Sequence, residues 1–279
     1  MGYEGMEKNK IALQMFSVRQ DLKEDFYGTL KQVKEMGYSG VEFAGLYDND
    51  PLEVKKMCQE IGLVPISAHV PFQKLLEEME ATIDCYKKLG VRYVVIPSLA
   101  EEYRPGHEKF PVFTEALIRI GSALAKEGMV LQYHNHDFEF EKLDGEYLLD
   151  IMYRTVDPAY LQTQLDTCWV NVGGADPVAY IHKYAGRIPT IHLKDFAGSK
   201  SENMYVLIGV NEDKKQETKG TFELRPVGKG VQDFPSIIEA ADQAGAEWFI
   251  VEQDSPSLGL TPMECAKVSI TYLLEDILG

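Results

Sequence analysis

Short apolar runs alternate with longer amphipathic stretches along almost the whole chain. The runs are rich in Val, Ile and Leu, which is typical of strands buried on both faces of a sheet. In the stretches between them, apolar residues recur at helical spacing, which predicts helices with one buried side. The predicted strands cover residues 11–16, 40–43, 64–69, 92–97, 130–136, 161–166, 189–195 and 248–253.

Eight strand–helix units predict a parallel sheet, because each helix returns the chain to the start of the next strand. In a chain of 279 residues this pattern fits a single-domain α/β fold, the (β/α)8 TIM barrel. An open doubly wound sheet is the alternative, but it usually has fewer strands and a glycine-rich first turn. Here Ser17, Val18 and Arg19 follow the first strand, so we expect a barrel at residues 11–279 after an extension at residues 1–10.

The alternation is interrupted once, by a polar segment at about residues 197–230. A hairpin is possible inside it, around residues 205–210 and 221–224. Loops of this length within a compact domain are usually lids or binding loops, so we expect an insertion in the barrel here. Gly228 and Gly230 lie near its end, where backbone amides could hold an anion or simply form a turn.

The composition is that of an ordinary globular protein, with 45% hydrophobic residues and a formal net charge of −16. This charge argues against a nucleic-acid partner, because such binding needs a positive surface that replaces counterions. It would also repel polyanionic substrates, so a neutral sugar or a small metal-chelated substrate fits better. No apolar run reaches the length of a membrane span and no leader segment opens the chain, so we expect a cytoplasmic protein.

Side chains that bind metals or protons lie at the ends of most predicted strands. In a TIM barrel these ends meet at one mouth, so residues far apart in the chain would gather there. The densest group is the stretch LQYHNHDFEF at residues 131–140. The strand-end residues are Gln14, Glu42, His69, His134, His136, Glu139, Asp166, His192, Lys194, Asp195, Glu252 and Asp254.

Asp166, His192 and Glu252 end three successive strands and are the first candidates for metal ligands. Two carboxylates and one imidazole suit a hard or borderline divalent cation. A fourth ligand should come from strand five, where His134 and Glu139 are both candidates. A lone strand-end aspartate more often caps a helix, but Glu252 directly follows a buried run, where an unpaired carboxylate is costly.

Several further residues are candidate substrate contacts. Glu42 and His69 are expected either to touch the substrate or to form part of the polar rim. His136 and Trp169 lie beside the metal candidates, and aromatic rings often line sugar sites. Lys194 comes two residues after His192, so strand alternation should direct both side chains into the barrel.

Six motifs occur in order along the chain, namely YHNHDFEF, LDTCW, GADPVAYI, RIPTIHLKD, PVGKG and IVEQD. Together they resemble the sugar phosphate isomerase/epimerase family of xylose isomerase-like TIM barrels. The branch that looks most similar holds inosose dehydratase-like proteins and other keto-sugar enzymes. The resemblance runs from the first strand to the eighth, and it is specific for the superfamily rather than for a substrate.

The resemblance implies one divalent metal ion, most often Mn²⁺, with Mg²⁺, Co²⁺ or Zn²⁺ as alternatives. Family members similar to this chain hold it with two glutamates, one aspartate and one histidine, which carries over to Asp166, His192 and Glu252. In the ketose epimerases the remaining glutamate stands three residues before an asparagine. If Asn135 is that asparagine, this chain has Gln132 instead, and Glu139 or His134 would supply the fourth ligand.

Residues and resemblance together predict a metal-dependent isomerase or epimerase of a keto-sugar or related polyol. Glu252 or Glu139 would remove the proton α to the carbonyl, and His134, His136 or Lys194 would deliver a proton or assist a leaving hydroxyl. A keto-sugar dehydratase or lyase and a non-catalytic sugar-binding barrel are the alternatives. The resemblance also makes a homo-oligomer possible, whereas nucleic acid and membrane partners are not expected.

Overall fold

The apolar runs form eight parallel strands that close into a barrel in chain order, with the last strand hydrogen-bonded to the first. The computed structural model describes residues 10–200 and 221–279. The predicted single-domain TIM barrel is therefore confirmed. Its strands are β1 (Ile11–Gln14), β2 (Gly40–Phe43), β3 (Val64–His69), β4 (Tyr93–Ile96), β5 (Val130–His134), β6 (Gln162–Asp166), β7 (Thr190–Leu193) and β8 (Trp248–Val251).

Helices surround the barrel, and local sequence signals set where several of them begin and end. The Asp50 carboxylate accepts hydrogen bonds from the amides of Leu52 and Glu53, and Gly62 ends that helix with a positive φ of 81°. The helices are α1 (Arg19–Glu24), α2 (Phe26–Met36), α3 (Pro51–Ile61), α4 (Phe72–Glu77), α5 (Met79–Leu89), α6 (Phe110–Lys126), α7 (Leu148–Thr155), α8 (Thr167–Val172), α9 (Pro177–Lys183), α10 (Phe234–Gln243) and α11 (Pro262–Tyr272). Among the described residues, none of these helices is long and apolar enough to cross a membrane.

Three local predictions differ from the structure. The apolar spacing along residues 72–89 predicts one helix, but the structure has two, because the chain leaves helical geometry at Glu78, where φ is −125° and ψ is 36°. The sequence at residues 146–154 predicts a short helix, but in the structure this helix begins at Leu148, after a small hairpin. The sequence reasoning also missed α8, which starts directly after β6 and takes Asp166 as its N-cap.

The interruption after β7 is partly visible. Asp195–Ala197 pairs with Glu223–Arg225 as an antiparallel ribbon, and Phe196 and Phe222 pack against Trp169 beside the barrel mouth. The possible strand at residues 205–210 lies outside the described residues. The same holds for residues 1–9 of the predicted N-terminal extension.

The inside of the barrel changes from apolar to polar along its axis. Near the amino ends of the strands it is filled by Ala12, Ile66 and Ile250, as is usual for this fold. The next inward positions towards the carboxyl ends are polar and almost completely buried. They are Gln14, Glu42, Ser67, Gln132, Gln164, Asp166, Thr190, His192 and Glu252. Buried polar groups need partners, and the contacts among these residues build the candidate site.

Candidate active site at the barrel mouth

Glu42 is the centre of the buried polar layer. Its Oε1 accepts a hydrogen bond from Gln14 Nε2 at 2.7 Å and lies 2.7 Å from His192 Nε2 and 3.0 Å from His69 Nε2. Its Oε2 accepts from Gln164 Nε2 at 2.6 Å. Burial raises the pKa of this carboxyl, but His69 and His192 outweigh burial and hold the pKa well below its usual range. Glu42 is therefore a buried anion that fixes the imidazoles around it.

His192 links Glu42 to Glu252. Its Nδ1 lies 2.9 Å from Glu252 Oε2, so each ring nitrogen faces a carboxylate. Burial lowers the pKa of the imidazole, but Glu252 and Glu42 together raise it to about 10. His192 is therefore held between two buried carboxylates, one on β2 and one directly after β8.

Lys194 supplies a second buried positive charge. Its Nζ lies 2.7 Å from Glu252 Oε2, 2.9 Å from Asp254 Oδ2 and 3.2 Å from Asp166 Oδ2. Burial lowers the pKa of the ammonium group, but the three carboxylates hold it well above its usual range. The prediction that Lys194 faces inward from β7 is consistent with these contacts, which place its charge at the mouth.

Four side chains present possible ligand atoms that all lie within 4.8 Å of one another, namely His134, Asp166, His192 and Glu252. Two carboxylates and two imidazoles form a donor set that suits a borderline divalent cation. Asp166 Oδ1 caps α8 by accepting from the amide of Trp169 at 3.1 Å, whereas Oδ2 faces His134 Nε2 at 3.7 Å. Asp166 is thus both a helix cap and a member of this group. The four side chains together form a donor set that fits a divalent metal ion.

Asn135 holds β6 beside β5 at this point. Its Oδ1 accepts from the amide of Asp166 at 2.9 Å, and its Nδ2 donates to the Asp166 carbonyl at 3.2 Å. This pair of hydrogen bonds fixes the backbone of a candidate ligand. The sequence predicted no structural role for Asn135, which served only to align this chain with the ketose epimerases. Its position between His134 and His136 was the one sequence feature that could have indicated such a role.

Gln132 and the two candidates for the fourth ligand, His134 and Glu139, lie at different places in the structure. Gln132 is engaged inside the barrel, where its Nε2 donates to the Thr163 carbonyl at 3.0 Å. Glu139 follows β5 in a short 3-10 turn, and its carboxylate accepts hydrogen bonds from the Tyr133 hydroxyl and from the His136 amide. Burial raises the pKa of Glu139 to about 7. Only His134 belongs to the group of four.

A cavity of about 500 Å³ opens above this group. Polar side chains at its floor include His69, His134, His136, Lys194, Glu252 and Asp254, all of which are among the predicted strand-end residues. Glu42 and Trp169 do not line the cavity. Both are fully buried, Glu42 beneath the floor and Trp169 with its ring centroid 5.7 Å from that of His136. We infer that these two residues position the cavity wall.

Burial favours the neutral form of His134 and His136, which both line the cavity. Burial lowers the pKa of His136 to about 3. Burial also lowers the pKa of His134 well below its usual range, and neighbouring His192 lowers it further. A neutral imidazole has a lone pair available, as metal binding and proton acceptance both require.

The glycine loop at the end of the inserted segment binds a carboxylate of this chain. The amides of Gly228 and Gly230 donate to Asp195 Oδ2 at 3.0 and 2.8 Å. These amides therefore bind the side chain of Asp195. Of the two sequence alternatives, a turn within the chain describes this loop, with its amides bonded to a residue of the chain itself.

Gly230→Ala should destabilise the fold by about 1–3 kcal/mol, as overpacking does. An added Cβ would lie 2.2 Å from both Asp195 Oδ1 and the Phe196 carbonyl oxygen. Chemical denaturation of this variant measures the loss, with the exposed neighbour Lys229→Ala as the matched control. Equal stability of the two variants would contradict the close packing of this loop.

Comparisons with known proteins agree with this architecture. The model of the family described as xylose isomerase-like TIM barrel matches residues 30–275. The chain is 28% identical over 274 residues to an inosose dehydratase of Geobacillus thermodenitrificans, with 90% of this chain and 89% of that protein covered. It is 25% identical over 276 residues to an inosose dehydratase of Clostridium beijerinckii, with 90% and 89% covered.

A solved structure shares the fold over nearly its whole length. A sugar phosphate isomerase/epimerase from Parabacteroides distasonis superposes with a TM-score of 0.78 at 23% identity, covering 99% of this chain and 98% of that one. The resemblance drawn from the six sequence motifs is therefore confirmed.

Proposed function

The chain belongs to the xylose isomerase-like TIM barrel family, and we propose that it is a divalent-metal-dependent enzyme acting on a keto-sugar or a related cyclic polyol ketone. The reaction would begin with removal of the proton α to the carbonyl. The observation that supports this most is the meeting of His134, Asp166, His192 and Glu252 at the base of the barrel mouth, where His134 and Glu252 also line the cavity. The negative charge of the chain agrees with a neutral substrate.

We assign the metal to these four residues, with His134 in the place considered for Glu139. A divalent cation bound there would polarise the substrate carbonyl as a Lewis acid, and Mn²⁺ is the ion we favour. The assignment is supported by the donor types and by burial, since all four side chains are less than 5% exposed. The Glu139 carboxylate already accepts hydrogen bonds from the Tyr133 hydroxyl and the His136 amide, so we propose it neither as ligand nor as base.

Glu252 is the carboxylate that we propose as the proton acceptor. It lines the cavity, and its Oε2 is held by Lys194 Nζ at 2.7 Å and by His192 Nδ1 at 2.9 Å. These contacts fix its orientation and keep it ionised, as a base requires. They also leave the carboxylate at the cavity surface, where a substrate carbon can approach.

Lys194 is the group that we propose as hydrogen-bond donor to a substrate oxygen. Its ammonium lines the cavity, and Asp254 Oδ2 holds it there at 2.9 Å. A donor placed there would stabilise negative charge on an oxygen, or protonate a departing hydroxyl. His136 also lies on the cavity wall, but burial favours its neutral form, so we do not propose it as the proton donor.

Two outcomes of the reaction share the same proton removal and differ in the second step. Return of the proton to carbon gives isomerisation or epimerisation, whereas loss of a β-hydroxyl gives dehydration. Dehydration is supported by the similarity to the two inosose dehydratases, whose alignments cover 90% of this chain. We therefore place dehydration beside isomerisation or epimerisation as the two candidate outcomes of the same first step.

Removal of divalent metal is expected to abolish proton exchange at the carbon next to the carbonyl. The purified protein would be treated with a chelator, supplied with 2-keto-myo-inositol in deuterated water, and followed by NMR before and after addition of Mn²⁺. Exchange or elimination should appear only with metal. Metal-independent exchange would contradict the metal requirement, and binding of the ketone without exchange or elimination would favour a non-catalytic sugar-binding barrel.

A further inference from the structure

The cavity has two unlike parts. Its floor is the polar group described above, whereas its remaining wall is largely apolar and carries only a few polar groups, from Lys74, Tyr86 and Ser98. The apolar wall residues are Phe16, Ala44, Pro71, Pro97 and Phe138. A volume of about 500 Å³ lies within the range of small-molecule sites. The metal-binding floor accounts for only part of this space.

Two aromatic rings face the cavity from opposite sides of the barrel. Phe16 follows β1 and Phe138 follows β5, and these strands lie four positions apart in either direction around the closed sheet of eight. The two side chains thus lie on opposite sides of the barrel mouth. We call Phe16 and Phe138 the aromatic pair.

Each ring of the aromatic pair is stacked against an arginine. The Arg19 guanidinium carbon lies 4.2 Å from the Phe16 ring centroid, and that of Arg104 lies 3.6 Å from the Phe138 ring centroid. Arg19 Nη1 also donates to the Asp254 carbonyl at 2.8 Å, and Arg104 Nε donates to the Leu99 carbonyl at 3.2 Å. Anchored arginines hold the rings in place, which lowers the entropy that a ligand would lose on binding.

The Phe16 side of the pair is also tied to the polar floor. Gln14 Oε1 accepts from the amide of Phe16 at 3.0 Å, while Gln14 Nε2 donates to Glu42. The Gln14 side chain thus hydrogen-bonds both to the turn that carries Phe16 and to the Glu42 carboxylate beneath the site. The apolar wall and the polar floor are built as one unit.

A polyol with a hydroxyl on nearly every carbon does not match the part of the cavity that Phe16 and Phe138 border. Hydroxyls pressed against these rings would lose water without gaining hydrogen bonds, which is unfavourable. We propose that the substrate is a keto-sugar that carries an aromatic substituent, such as an aryl glycoside, with the substituent between Phe16 and Phe138. This inference rests on the proposed function and names its substrate class.

Titration calorimetry on the Mn²⁺-loaded protein tests the inference with three ring ketones. The probes are 2-keto-myo-inositol and the methyl and phenyl β-glycosides of 3-keto-D-glucose. The phenyl glycoside should bind roughly 10-fold or more tightly than the methyl glycoside, since burial of a phenyl ring and its contact with two aromatic rings are both favourable. Equal affinities for the phenyl and methyl glycosides would overturn the inference.

Variants of the aromatic pair locate the effect. Phe16→Ala and Phe138→Ala should each reduce the phenyl-to-methyl affinity ratio several-fold, and Phe138→Leu should do so while preserving apolar volume. Tyr27→Ala, a half-exposed aromatic residue outside the cavity, is the matched control and should leave the ratio unchanged. An unchanged ratio in both alanine variants would contradict the assignment.

The same titrations separate this inference from the proposed function. If 2-keto-myo-inositol binds as tightly as the phenyl glycoside and exchanges its α-proton, the aromatic substrate class is wrong and the proposed function stands. If none of the three ketones binds to protein that does bind Mn²⁺, both the proposed function and the inference are wrong.

Discussion

Replacing His134 with alanine is expected to lower the affinity for Mn²⁺ by roughly 100-fold or more, since even groups that only support metal ligands cost about 10–100-fold when lost. His134 presents its imidazole to Asp166 within the group of four and is only 2% exposed. Its pKa is held low by burial, so the ring offers a lone pair without first losing a proton. Isothermal titration with Mn²⁺ measures the change.

Glu139→Gln is the matched comparison for that experiment. This carboxyl comes five residues later in the same motif and is also buried, but it accepts hydrogen bonds from the Tyr133 hydroxyl and the His136 amide. Its removal should leave Mn²⁺ affinity nearly unchanged. A large loss in Glu139→Gln, with wild-type affinity in His134→Ala, would reverse the assignment of the fourth ligand.

Glu252→Gln should lower kcat by roughly 100-fold to 10,000-fold, the range expected for loss of a general base. The amide keeps the size of the side chain and one oxygen, so substrate binding should fall much less than turnover. It cannot accept the proton, and it also removes the negative charge that faces Lys194 and His192. Steady-state kinetics on the accepted ketone separates kcat from KM.

Glu239→Gln provides the control for this experiment. It makes the same chemical change at an exposed residue of α10, away from the barrel mouth. Its kcat should match that of the wild type. If Glu252→Gln retains full turnover while binding metal normally, Glu252 is not the base, and Asp254 or His136 on the cavity wall would take that place.

The sequence predicted the barrel well, because buried parallel strands are apolar on both faces and differ clearly from the helices between them. Most of the candidate site residues could be identified because polar or charged side chains stand at the end of an apolar run. The division of the helix at Glu78 and the short helix α8 were missed, because packing and capping decide them more than periodicity does. α8 begins on Asp166, where a strand-end residue is also a cap.

The site was predicted in part. Asp166, His192 and Glu252 were identified as neighbours because consecutive parallel strands place their ends side by side, and the structure does bring them together. Glu139 was retained beside His134 because the direction of a side chain beyond a strand end cannot be read from spacing. The chain turns after β5, and Glu139 ends behind the cavity with Tyr133.

The role of the buried amides beneath the site was not foreseen. Gln164 donates to Glu42 and lies 2.7 Å from His69 Nε2, and Gln14 connects Glu42 to Phe16. Strand alternation can place both glutamines inside the barrel, but it does not show which groups they contact. Their importance emerges only in three dimensions, where one carboxylate receives hydrogen bonds from several strands.

Anomalous diffraction from crystals soaked in Mn²⁺ would locate the metal and its ligands in one measurement. We expect one manganese peak per chain, about 2.0–2.2 Å from atoms of His134, Asp166, His192 and Glu252, as short metal–ligand bonds require. Glu139 should remain hydrogen-bonded to Tyr133. A peak ligated by Glu139 instead of His134, or no peak while Lys194 keeps its contacts with Asp166 and Glu252, would contradict the proposed metal site.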